Sequence, residues 1–113
     1  MTRYRASDYT GAATGLRALV AKSPELAPAQ FYLGICELMT RQTRRAETAL
    51  RAAADSEVTP YADEAYFYLA KAALQRGDLT AAERALTEAV AREAGPGNEA
   101  RRLLEEVRAL GRS

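Results

Sequence analysis

The 113-residue chain has no histidine, no tryptophan, a single cysteine and only two phenylalanines. Without histidine there is no imidazole to serve as a base near neutral pH or to ligate a metal. Cys36 stands alone, so neither an intrachain disulfide nor a thiolate cluster can form, and a reducing cytoplasm is the default compartment. Sixteen basic and 15 acidic side chains leave a net charge of +1, without the surplus that binding a phosphate backbone requires; nucleic acid is not an expected partner. No apolar run approaches the roughly 18 residues of a membrane span, and the first residues lack the apolar core of a signal peptide. Membrane insertion of this segment is therefore not expected, although a parent protein could be membrane-associated. Valine and isoleucine total only five residues, which argues against a β-rich domain.

What is abundant points the other way. Twenty-five alanines and 13 leucines make helix formers dominant, and the length suits one domain with a modest core. Breakers or caps punctuate the chain at Ser7-Asp8, Ser23-Pro24, Thr40 to Thr43, Thr59-Pro60, Gly77-Asp78 and Gly95 to Asn98. Between them apolar residues recur at intervals of three and four, which predicts helices over 9–22, 27–40, 43–56, 61–76, 79–93 and 98–110. Asp8 and Asp78 are expected N-caps, and Gly77 an expected C-terminal stop.

Internal comparison orders these helices. Tyr9, Ala12, Leu16 and Leu19 are followed 34 residues later by Thr43, Ala46, Leu50 and Ala53. Those four are followed 36 residues later by Leu79, Ala82, Leu86 and Ala89. The helices between repeat too: Phe31-Tyr32-Leu33-Gly34 aligns with Phe67-Tyr68-Leu69-Ala70 at the same offset of 36, which also separates Pro60 from Pro96. Small residues at Gly34, Ala46, Ala70 and Ala82 would let paired helices approach closely, with Leu33, Leu50, Leu69 and Leu86 filling the space between pairs. Gly11 and Gly15, four apart on one helix, are expected to serve similar packing rather than to cradle phosphate.

These residues resemble the tetratricopeptide repeat, a helix-turn-helix unit of 34 residues. The resemblance spans roughly residues 4–95 and implies an all-α fold, a right-handed solenoid of antiparallel helix pairs. It would comprise a partial repeat at 4–24, full repeats at about 27–58 and 61–94, and a capping helix at 98–110, all in a single domain. Tyr4 and Arg5 fall where the first helix of the partial unit would end, so an upstream continuation or a second chain is expected to cover helix 9–22. The sequence departs from the family where Gln30 and Tyr66 replace its tryptophan, and where Glu37 replaces an aromatic or small residue; the second departure predicts a rotated or locally solvated helix. A narrower likeness of the Tyr-Arg-x-x-Asp-Tyr opening and the two Tyr-Leu-containing helices is to repeat domains of bacterial regulatory or envelope-associated proteins.

No catalytic constellation emerges. A Ser-His-Asp triad is impossible without histidine, and Lys22 beside Ser23 falls at a predicted helix end where lysines are solvated. Glu83, Glu88 and Glu93 are five apart and do not share a helical face, so no metal is expected, nor any cofactor. Cys36 reads as a small buried hydrophobe. The family resemblance implies a non-enzymatic protein-interaction scaffold.

The first helices of stacked pairs conventionally line the inner surface. On 27–40 that face carries Phe31, Ile35, Leu38 and Met39; on 61–76 it carries Phe67, Lys71, Leu74 and Gln75. Such a surface would accept an apolar helical or extended segment of a partner protein. Packing against an upstream helix of the solenoid or against its cap is the competing role for Phe31 and Phe67. The alternative function is homodimerisation through Leu16, Leu19, Val20, Phe31 and Tyr32 at the uncovered N-terminal end. Arg41, Arg44, Arg45 and Arg51 are expected to pair locally with Glu37 or Glu47, or to meet an acidic tail.

Overall fold

A computed structural model describes residues 6–94 and 98–112. Tyr4, Arg5 and the Gly95-Pro96-Gly97 breaker lie outside the described residues. Six helices follow one another: α1 (Ala6–Lys22), α2 (Ala27–Met39), α3 (Thr43–Asp55), α4 (Tyr61–Arg76), α5 (Leu79–Ala91) and α6 (Glu99–Gly111). There is no strand among the described residues. Short connections at 23–26, 40–42, 56–60 and 77–78 fold each helix back on its predecessor. Each packs against the next, α2 also touches α4, and the array measures 42 × 28 × 28 Å.

Local chemistry explains the boundaries. Gly77 adopts φ 79°, and the bond from Asp78 N–H to Ala73 C=O (2.9 Å) closes α4. Asp78 then turns its carboxylate onto the Ala81 N–H (2.9 Å) and opens α5. The end of α2 repeats this geometry 36 residues earlier, with Arg41 at φ 60° and Gln42 N–H bonded to Glu37 C=O at 2.7 Å. Pro28 sits in the first turn of α2, where its missing N–H leaves no intrahelical bond unmade. Asp8 is not the cap expected of it: α1 starts at Ala6, and Asp8 lies within the first turn, where its charge favours the helix dipole.

The core runs along the array in three overlapping clusters. Ala13, Leu33, Cys36 and Ala49 join α1, α2 and α3. Phe31, Leu38, Leu50 and Leu69 join α2, α3 and α4, and Phe67, Leu86, Leu104 and Val107 join α4, α5 and α6. Most remaining core positions are alanine, so the helices lie close together. Leu50 and Leu86, equivalent by the 36-residue offset, are both completely enclosed. Replacing either with Ala should lower the free energy of unfolding by about 2–5 kcal/mol, measured by urea denaturation; near-wild-type stability of both variants would contradict their equivalent burial.

Gly34 shows how close the α2–α3 approach is. A Cβ there would lie 2.5 Å from Leu50 Cγ and 2.7 Å from its Cδ2, and Leu50 is itself fully buried. By contrast, Gly11 and Gly15 are exposed with nothing among the described residues within 4 Å of a notional Cβ, so the packing role expected of them is not what the described fold uses. The same substitution should therefore act with opposite sign. Gly11→Ala and Gly15→Ala should each stabilise by about 0.5–1 kcal/mol through helix propensity. Gly34→Ala should destabilise, because an overpacking penalty of about 1–3 kcal/mol opposes that gain. Thermal melts of the three variants would check the sign.

Candidate protein-binding groove

Helices α2 and α4 lie side by side, with α6 beyond them, and a groove of about 580 Å³ opens over the three. Ile35, Leu38 and Met39 enter it from α2; Tyr68, Lys71, Leu74 and Gln75 from α4; Leu103 from α6; and Arg41 from the α2–α3 turn. Six of the eight residues expected on a binding surface thus share one concavity. Met39 is 53% exposed, Ile35 and Leu74 are partly exposed, and Leu38 is buried with only its edge contributing.

Phe31 and Phe67 do not belong to this surface. Their exposures are 5% and 2%, and the cause is aromatic cover. Tyr32, Tyr61 and Tyr68 place ring centroids 5.3, 5.7 and 5.6 Å from Phe31. Phe67 is enclosed by Tyr68 at 5.4 Å, by the Lys71 ammonium 4.8 Å above its ring, and by the Ala100 and Leu104 contacts of α6. Conversely, Tyr68, Arg41 and Leu103 line the groove without having been expected there. Tyr68 was open to detection, since it lies three residues before Lys71 and seven before Gln75 on one helical face.

The polar residues divide by role. Gln75 donates from Nε2 to Leu38 C=O (3.1 Å) and accepts at Oε1 from the Thr43 hydroxyl (2.9 Å), tying α4 to both sides of the α2–α3 turn. It positions the groove wall. Lys71 faces Glu99 at 3.6 Å as well as the two rings beneath it. Arg41 forms no ion pair among the described residues. The Tyr68 phenol is held above its ordinary pKa by burial, with the Glu64 and Glu99 charges adding to the shift.

On the opposite side of α2, Glu37 is neither solvated nor turned away. It is 3% exposed, accepts one hydrogen bond at Oε2 from Arg17 Nη2 of α1 (3.3 Å), and leaves Oε1 without a partner among the described residues. Burial raises its pKa, while the Arg17 hydrogen bond and the charges of Arg17 and Arg45 pull it back in part. The same burial, together with the Glu37 charge, raises the pKa of the buried Cys36 thiol, the reverse of what activates a nucleophile. Glu47, the other acid expected to pair with local arginines, is held instead by Arg76 of α4 at 2.8 Å.

A raised folded-state pKa means that folded protein binds a proton at Glu37 more readily than unfolded protein does. Ionised Glu37 thus subtracts stability, and that loss sets in as pH rises above the ordinary value of 4.5 and through the folded value. The wild type should consequently gain stability relative to Glu37→Gln on acidification towards 4.5. Paired urea melts across that range should show it, and a difference independent of pH would contradict the assignment.

Among the described residues no three His, Cys, Asp or Glu side chains come together as a metal site, and no helix is long and apolar enough to cross a membrane. The stacked helix pairs make this a helical-repeat protein. A family model of the tetratricopeptide repeat matches residues 38–99, more than half of the chain, and the chain belongs to that family. No curated protein and no solved structure matches it. Repeats of this family generally mediate interactions between proteins.

Proposed function

We propose that the chain is a non-enzymatic interaction domain that holds an apolar helical or extended segment of a partner protein in the groove between α2, α4 and α6. The observation that carries this reading is the clustering of Ile35, Met39, Leu74 and Leu103 in one open concavity with no acidic side chain in its lining. An apolar segment would cover the exposed Met39 and the partly exposed Ile35 and Leu74, and Met39 can repack around differently shaped ligands. Phe31 and Phe67, both buried, pack against the groove-lining Tyr68, and Gln75 and Lys71 stand in the groove wall. No catalytic, cofactor or metal role is assigned to these residues.

Self-association through the N-terminal end has less surface to work with. Phe31 is buried, Leu16 and Val20 pack against the α1–α3 cluster, and Leu19 and Tyr32 are the exposed members of the expected set.

Peptides selected from a displayed random library provide the test. Binders should carry apolar anchors at helical or alternating spacing. Met39→Glu combined with Leu74→Glu should weaken them by tenfold or more, because two charges must be desolvated where apolar contact was made. Far-ultraviolet circular dichroism of the variant should be unchanged, since Met39 is exposed and Leu74 only half-buried. Selected peptides that bind the double variant as tightly as the wild type would place recognition on another surface.

A further inference from the structure

Two furrows of matching construction lie on the side of α2 and α4 opposite the groove. One, of about 580 Å³, is lined by Arg17, Leu33, Glu37, Arg45, Thr48 and Ala49 among others. The next, of about 260 Å³, is lined by Arg51, Tyr66, Leu69, Ala81, Arg84 and Ala85. Their linings correspond through the sequence offsets: Arg17 to Arg51 at 34, and Leu33 to Leu69, Thr48 to Arg84 and Ala49 to Ala85 at 36. Helical periodicity sets both furrows apart from the groove, since Leu33 and Glu37 lie about half a turn around α2 from Ile35 and Met39.

The furrows differ in what meets the first arginine. In the larger one an internal carboxylate, Glu37, accepts from Arg17. In the smaller one the position of Glu37 is Ala73, and no acidic side chain lines the furrow. Arg51 and Arg84 are exposed and form no ion pair among the described residues. Of the acids nearby, Glu47 is taken by Arg76, Glu88 by Arg92, and Asp78, whose carboxylate feels the Arg84 charge, by Arg76 and the Ala81 N–H; Asp55, one turn after Arg51 on α3, is exposed and forms no ion pair with it. Arg92 stacks its guanidinium 4.7 Å from the Tyr66 ring while bound to Asp63 at 2.8 Å.

We propose that the furrow between Arg51 and Arg84 is a second recognition site, which takes a carboxylate side chain of an acidic partner segment with an adjoining apolar residue on the Leu69 and Ala85 floor. The partner's carboxylate supplies there what Glu37 supplies internally one repeat earlier, and two unpaired guanidinium groups give it charge-assisted hydrogen bonds. This site is independent of the groove and does not rest on the function proposed for it.

The probe is a short amidated peptide, Glu-Leu-Ser-Glu-Leu, titrated into isotopically labelled full chain and followed by amide NMR shifts. Shifts should map to Leu69, Ala81 and Ala85 and fade at high sodium chloride. Arg51→Gln and Arg84→Gln should each weaken binding about tenfold, the loss of one charge-assisted hydrogen bond. Met39→Glu with Leu74→Glu should leave it unchanged. Glu37→Ala, by removing the internal occupant, should make Leu33 and Ala49 respond as well. The proposal is overturned if Gln-Leu-Ser-Gln-Leu produces the same shifts, if either arginine variant binds like wild type, or if Glu37→Ala opens no second response. It is equally overturned if inorganic phosphate elicits the same shifts at lower concentration, which would make the site one for phosphate.

Discussion

The close approach of paired helices around one enclosed leucine is the constraint on which the rest of the architecture depends. At α2–α3 the contact is so close that Gly34 leaves no space for a methyl group against Leu50. At the equivalent place in α4–α5 an alanine, Ala70, fits fully buried beside the Leu86 cluster. Alanine at most other interior positions keeps the helix axes near one another and leaves little volume for large side chains. The interior admits Phe31, Leu33, Leu38, Phe67, Leu69, Leu104 and Val107, and other large apolar side chains lie at the edges of the interfaces. Ile35, Met39 and Leu74 are such residues, and the groove is the space between their two helices that no internal side chain fills.

Glu37 shows the same constraint acting on charge. It stands on the helix with the most apolar composition, at a position where the following repeat carries buried Ala73. Dehydrating a carboxylate at such a place is unfavourable, and one hydrogen bond from half-exposed Arg17 satisfies only one of its oxygens. Because Arg17 belongs to α1, this ion pair also ties the first helix to the array, where the core is otherwise built from Ala13, Leu33, Cys36 and Ala49 with Tyr9, Leu16 and Val20 packed against them. The apolar cluster at the N-terminal end thus carries a partly compensated charge within it, whereas the C-terminal end is closed by the apolar Leu104 and Val107 of α6.

Much of this was legible from residue spacing. All six helices are where the three-and-four periodicity and the Gly77-Asp78 stop predict them, with ends shifted by no more than a few residues, because capping and periodicity are local. The Leu50–Leu86 equivalence followed from the 36-residue offset for the same reason. The rest depended on which elements come together in space. Phe31 and Phe67 share a helical face with genuine groove residues, but Tyr61 of the next repeat and α6 cover them, and periodicity within one helix carries no information about such cover. Spacing leaves Glu37 on a rotated or locally solvated helix because its partner lies 20 residues away on another helix. Gly11 and Gly15 read as packing residues because spacing alone does not say which side of α1 is occupied.

The distribution of ion pairs follows from the order in which helices stack. Acids of one pair are repeatedly taken by arginines near the ends of the next helices: Glu47 by Arg76, Asp63 by Arg92, and Glu83 by Arg108. These partners are separated by 29, 29 and 25 residues, so each bridge joins elements across a turn rather than within one helix. Arg41, Arg45, Arg51 and Arg84 stand outside these seams and form no ion pair among the described residues, one at the groove and three along the furrows behind it. A nearly neutral repeat array can in this way present two faces of different chemistry: an apolar groove with a basic rim, and an opposite side where arginines stand over narrow apolar floors.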